Sequence, residues 1–273
     1  MYCEFYGFRE KPFNVTSDPG FFFLTDRHKE ALAHLLYGVT ERKGIVVLTG
    51  EIGTGKTTLC RYLLSRLDKK VKTALVLNPC LSETQLLEAV VEDFGLPVRK
   101  SSRLKLLQEL NDFLMREARL GNNIALIVDE AQNLKPQVLE QIRLLSNLET
   151  EKDKLLQVVL AGQPELADKL NLHSLRQLRQ RIMVKSHIYP LQRSEVPLYI
   201  RHRLSVASTE NTEVEFTDDA VETISHFSGG TPRVINLICD RALLAGYVNR
   251  KKILDTDIIQ SCLEDLTDHL VGV

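Results

Sequence analysis

The chain has 273 residues, 35 Lys plus Arg against 36 Asp plus Glu, and a formal net charge of -1. That length suits one large domain with a smaller companion, and the balanced charge excludes a global field that would draw the protein onto nucleic acid or anionic lipid. The five cysteines show no C-x-x-C spacing, the histidines form no metal-binding pair, and no run approaches about 18 apolar residues. Reduced thiols and a soluble, non-exported, cytoplasmic chain are the expectation.

Residues 1 to 25 hold Tyr2, Phe5, Tyr6, Phe8, Phe13, Phe21, Phe22 and Phe23, about half of all Tyr and Phe. Turn signals at Lys11-Pro12 and Asp18-Pro19-Gly20 predict an irregular strap laid over the domain that follows. Its rings could stack an adenine or simply cover a core, two readings of equal weight. A helix from Asp26 to about Val39 follows.

Gly44-Ile45-Val46-Val47-Leu48-Thr49 reads as a buried strand, and Gly50-Glu51-Ile52-Gly53-Thr54-Gly55-Lys56-Thr57 is a complete G-x-x-x-x-G-K-T run opening a helix that continues through Thr58. Strand, glycine loop and helix together make a phosphate cradle for ATP or GTP. The glycines let backbone N–H groups turn inward, Lys56 reaches the β- and γ-phosphates, and Thr57 holds Mg²⁺.

A second strand spans Val71 to Leu77. Two helices follow where a crossover needs one, from about Glu83 to Phe94 and from Ser101-Ser102 to Gly121. Arg99, Lys100, Arg103 and Lys105 between them form the one conspicuous basic cluster, which offers a DNA contact; a solvated loop and helix start is the preferred reading. Ile124 to Val128 is an apolar strand delivering Asp129 and Glu130 at its C-terminal end, where parallel sheets bind ligands. Asp129 suits Mg²⁺, and Glu130 suits the base that activates water.

The next strand, Leu155 to Ala161, ends in Gly162-Gln163-Pro164. Gln163 can touch a γ-phosphate if this strand lies between the other two. Arg176, Arg179 and Arg181 crowd a helix before a last strand, Met183 to Ile188, and supply either an arginine finger or surface salt bridges. After Leu191 the pattern is wholly helical, with starts at Ser194, Thr217, Thr231-Pro232 and Thr256. Arg233 sits in a first helical turn, where a cation opposes the helix dipole unless an anion is near.

In this order the motifs resemble an AAA+ ATPase, and more narrowly the general secretion pathway protein A (ExeA-like) family. Phe5-Tyr6-Gly7, Pro12-Phe13, Asp18-Pro19, Thr49-Gly50-Glu51-Ile52-Gly53, Asp129-Glu130-Ala131-Gln132-Asn133-Leu134 and Ala161-Gly162-Gln163-Pro164-Glu165-Leu166 carry the match. The resemblance implies an α/β fold, a five-stranded parallel P-loop sheet in order 5-1-4-3-2 flanked by helices, with a helical lid. Residues 1–190 would form the base and 191–273 the lid. It further implies Gln163 and Arg233 as sensors of the γ-phosphate. Arg181, or Arg179 second, would act on a neighbouring subunit of a homo-oligomer.

Members of that family often continue into a transmembrane helix and a periplasmic peptidoglycan-binding region, which residues up to Val273 do not include. The expectation is either a stand-alone version or an inner-membrane or cell-envelope partner that supplies the membrane part, with the chain peripheral to the membrane through it. The extra helix before the third strand is similar to initiator-type ATPases, which keeps a DNA-binding regulator as the alternative. A scaffold without turnover has no use for Glu130, and a P-loop kinase would need an acceptor site that the segment after Glu130 does not resemble.

Overall fold

A computed structural model describes residues 1–77, 80–97, 102–149 and 153–271, with side chains through residue 266. Contacts divide the chain into two units, one of residues 26–52 and 56–188, the other of residues 1–25, 53–55 and 189–273.

The first unit is a parallel five-stranded sheet with helical crossovers. Its strands are β1 (Ile45–Gly50), β2 (Val71–Val76), β3 (Asn123–Val128), β4 (Gln157–Gly162) and β5 (Ile182–Ile188). Their order is β2-β3-β4-β1-β5, as the family resemblance implies. Every residue of β1 and β4 is buried, whereas the edge strands are less covered: β2 is exposed at Lys72 and half-buried at Val71, Thr73 and Leu75, and β5 is exposed at Met183 and Lys185. Central parallel strands are covered on both faces, so they carry unbroken apolar runs; edge strands are not.

The two helices between β2 and β3 are Glu83–Asp93 and Arg103–Arg119. Ser82 caps the first in a reciprocal box with Gln85, and Ser102 caps the second. They bury Leu86, Val90, Leu106, Leu110 and Phe113 in the core beneath the sheet, together with Val138, Leu139 and Ile142 of the helix Pro136–Leu145. Register pairs Val128 with Leu160 and Leu48 with Ala161, so β1, β3 and β4 end at one level. The residues that follow them therefore share one edge of the sheet.

The second unit is built on the helices Val196–Ala207, Asp218–Ser228, Pro232–Val248 and Thr256–Val271. Thr217 caps the second of these, and Gly229 closes it in the left-handed conformation at φ 53. The first begins two residues later than expected, with Pro197 in its opening turn. Two short strands, β6 (Glu215–Phe216) and β7 (Ile253–Leu254), pair in parallel, which corrects the all-helical expectation for this region. Strands of two residues are too short to leave a periodic signal.

Residues 1–25, assigned to the base from sequence, pack in this second unit. Tyr2–Tyr6 is a short helix ended by Gly7 at φ 77, where an irregular strap was expected. Tyr2, Tyr6, Phe8, Phe13 and Phe21 are buried in one core with Ile235, Ile238 and Leu243. The Tyr6 hydroxyl donates to Leu243 O and Lys251 O, each at 3.1 Å, and Tyr2 donates to Asp240. Burial pushes the Tyr6 phenol up to about 12. These rings serve as core side chains. No helix among the described residues is long and apolar enough to cross a membrane.

Candidate phosphate-binding and water-activating site

The glycine run leaves β1 at Gly50 and enters the helix Lys56–Arg66. Gly53 and Gly55 take φ 78 and 101, the left-handed region that a side chain would strain. Lys56 is buried, and its Nζ donates to Gly50 O at 2.8 Å and Glu51 O at 2.9 Å. The cation is thus folded into its own loop. Burial lowers its pKa, an effect that Glu130, Asp129 and Glu51 oppose through their charges. Thr54 is buried, Thr58 is half-buried, and Glu51 and Ile52 are exposed.

Thr57 Oγ1 donates to Asp129 Oδ2 at 2.5 Å. Asp129 is 2% exposed, and its Oδ1 accepts the Glu130 N–H at 2.9 Å. Burial raises its carboxyl above the ordinary value; the two hydrogen bonds and Lys56 pull the other way. A hydroxyl and a carboxylate are hard oxygen donors, the chemistry Mg²⁺ takes, so Thr57 and Asp129 fit the metal.

Glu130 is half-buried and holds φ 51, uncommon for a residue with a side chain. Its Oε2 accepts Gln132 Nε2 at 2.5 Å and Gln163 Nε2 at 3.4 Å. β4 lies between β1 and β3, the condition for Gln163 to reach this place. Lys56, Thr57, Asp129, Glu130 and Gln163 thus gather at the C-terminal edge of the sheet.

From sequence alone Gln132 is one residue of the Asp129–Leu134 motif and carries no assigned role. It lies in the 3-10 turn Ala131–Asn133, and spacing in sequence carries no sign of that turn. Its Oε1 accepts the backbone N–H of Gln163 at 3.1 Å, and Lys169 Nζ donates to its carbonyl.

In the helical unit, the Arg233 N–H donates to Gly53 O at 3.3 Å, and a Cβ at Gly53 would meet Arg233 Cβ at 2.7 Å. The Arg233 residue is exposed. Arg181 is half-buried just before β5, while Arg176 and Arg179 are exposed. Arg179 reaches Asn171 Oδ1 at 3.3 Å. Of the basic cluster, Arg103 pairs with Glu83 at 2.7 Å and donates to Gln141, and Lys105 is exposed. Arg99 and Lys100 lie outside the described residues.

A family model described as an AAA domain matches residues 39–170. The general secretion pathway protein A of Aeromonas hydrophila is 48% identical over 266 residues, which cover 97% of this chain and 48% of that protein. The chain thus spans about half the length of this relative. Among solved structures, the Aeropyrum pernix ORC2 protein aligns with a TM-score of 0.72 at 18% identity, over 94% of this chain and 72% of that one. The Thermotoga maritima RuvB Holliday junction branch migration motor aligns at 0.62 and 21%, over 90% and 70%. Both likenesses concern the fold. The chain thus has the AAA+ P-loop fold and is a relative of the general secretion pathway protein A.

Proposed function

We propose that the protein binds ATP with Mg²⁺, hydrolyses it, and cycles as a homo-oligomeric switch in the assembly of a secretion or cell-envelope system. The observation that carries the chemistry is the meeting of Lys56, Thr57, Asp129, Glu130 and Gln163 at one sheet edge. Inward N–H groups of residues 50 to 57, with the N-terminus of the helix behind them, hold the phosphate chain, and Lys56 exchanges its loop carbonyls for phosphate oxygens. Thr57 and Asp129 hold Mg²⁺, which when bound neutralises charge on the β- and γ-phosphate oxygens. Glu130 orients a water and takes its proton. Gln163 and Arg233 sense the γ-phosphate. Arg181 serves a neighbouring subunit, a position from which arginine fingers contribute roughly 10³–10⁵ in rate.

The cellular role rests on the relative's name. The chain would work in the cytoplasm, reaching the inner membrane through a partner. Phosphate release across a protein concentration series, with and without double-stranded DNA, tests the whole reading. Turnover per subunit that rises with concentration, ignores DNA, and falls in Arg181→Ala supports it. Absence of turnover removes the ATPase, and turnover that requires DNA replaces the envelope role with an initiator-type one.

A further inference from the structure

Glu130 and Gln163 follow the ends of different strands, β3 and β4, and one side chain bridges them. Gln132 Nε2 donates to Glu130 Oε2 at 2.5 Å, and the other end of the same amide, Oε1, accepts the Gln163 N–H at 3.1 Å. The Gln163 side chain returns to the same carboxylate oxygen at 3.4 Å. The amide thus closes a small ring of polar contacts around one oxygen.

We infer that Gln132 is a positioning residue that holds the Glu130 carboxylate by Oε2, leaving Oε1 as the face for water, and ties its orientation to the tip of β4. The inference rests on the hydrolytic reading of the site. Three features select this residue type. The bridge needs a donor toward a carboxylate and an acceptor toward an N–H, which an amide supplies at once and a carboxylate or thioether does not. The space is fitted to it: a Cβ at Gly162 would lie 2.8 Å from Gln132 Oε1, so the residue beneath the amide is glycine. The backbone is pinned independently, because Lys169 Nζ donates to the carbonyls of both Gln132 and Leu134, the latter at 2.8 Å.

Held this way, the carboxylate loses rotameric freedom before any substrate arrives, and a shift of Gln163 toward a phosphate is transmitted to Glu130 through the Gln132 amide as well as by the direct contact. Pre-organisation of this kind acts on the chemical step and leaves nucleotide affinity alone.

Gln132→Met keeps the length and removes both contacts; Gln132→Glu keeps an acceptor and sets a second carboxylate against Glu130. Both variants should bind a fluorescent ATP analogue like the wild type and keep its KM for ATP. Their kcat should fall about 10- to 100-fold, the size of a lost hydrogen bond to a charged group. In the nucleotide-free protein, Gln132→Met should move the Gln163 backbone amide and the Glu130 side-chain carboxyl signals in NMR spectra. A Met variant with wild-type kcat, or one whose loss lies in nucleotide binding, overturns the inference, as do unmoved NMR signals. A wild type that releases no phosphate fails the hydrolytic reading instead, and the NMR signals then decide the bridge by themselves.

Discussion

Thr57 Oγ1 and Asp129 Oδ2 lie 2.5 Å apart although 72 residues separate them in the chain. The loop after β1 and the end of β3 are brought level by the strand between them, so the hydroxyl of one motif meets the carboxylate of the other. Thr57→Ala and Asp129→Asn each remove an oxygen donor suited to Mg²⁺. Phosphate release should fall about 10²-fold or more, since a catalytic metal contributes several kcal/mol. Titration with Mg²⁺ checks the role: curves that superimpose on the wild type's would exclude the pair from metal binding.

Glu130→Gln preserves shape and removes the proton acceptor. ATP should still bind and be retained, while turnover drops about 10²–10⁴-fold, the usual contribution of a general base. Retention of a fluorescent ATP analogue and phosphate release, measured on the same preparation, separate the two effects. Unchanged turnover would take Glu130 out of the mechanism.

Arg203 is buried in the helical unit, where Nε donates to Pro12 O at 2.6 Å and Nη2 to Asn14 O at 2.9 Å. Its guanidinium also stands 4.6 Å over the Phe21 ring. Arg203→Lys keeps the charge but loses the planar fork, and should cost about 2–3 kcal/mol. Amide exchange should speed up across residues 9–25 ahead of the rest of the chain. Exchange that stays unchanged there would mean the aromatic core alone holds the segment.

Gly229 and Gly230 are adjacent, both at positive φ, and their surroundings differ. A Cβ at Gly230 would lie 2.0 Å from Leu191 O, in a place where the Leu191 N–H also bonds Gly230 O at 2.9 Å. At Gly229 nothing lies within 4 Å. Gly229→Asn should cost about 1 kcal/mol or less, and Gly230→Ala about 3 kcal/mol or more because backbone must move. Denaturant unfolding of the two variants gives the comparison; equal losses would show that the positive φ alone matters.

His202 packs against Phe23 at 5.5 Å between centroids, and its Nε2 is buried without a hydrogen-bond partner. Burial, then the Arg203 charge, lowers its pKa below the ordinary histidine value, opposed by a bond with the Phe21 backbone. A depressed histidine pKa means the unfolded chain binds the proton more readily. The stability penalty is therefore absent at about pH 7.5 and grows as pH falls through the unfolded value near 6.5. Between about pH 7.5 and 5.5 the melting midpoint of His202→Phe, which keeps a ring against Phe23, should fall less than that of the wild type. Parallel declines would assign the acid sensitivity elsewhere.

The phosphate loop, Asp129-Glu130 and the five strands were legible because each depends on a contiguous run: a glycine spacing, or an apolar stretch ending in carboxylates. The bridge from Gln132 to Gln163 was not, since it exists only once β3 and β4 are neighbours and a 3-10 turn swings the amide back over Glu130. Nor was the packing of Tyr6 against Leu243 and Lys251, or the burial of Arg203 over Phe21, because hydrophobicity says that aromatics are covered and not by what. β6 and β7 are too short to carry a period.

By itself, then, the sequence determined the local conformations and the kinds of chemical group at the strand ends, through backbone freedom at glycine and the periodicity of apolar side chains. Tertiary structure alone decided which of those groups meet. Hydrogen bonds between distant residues depend on strand register and side-chain packing, which no neighbourhood along the chain encodes.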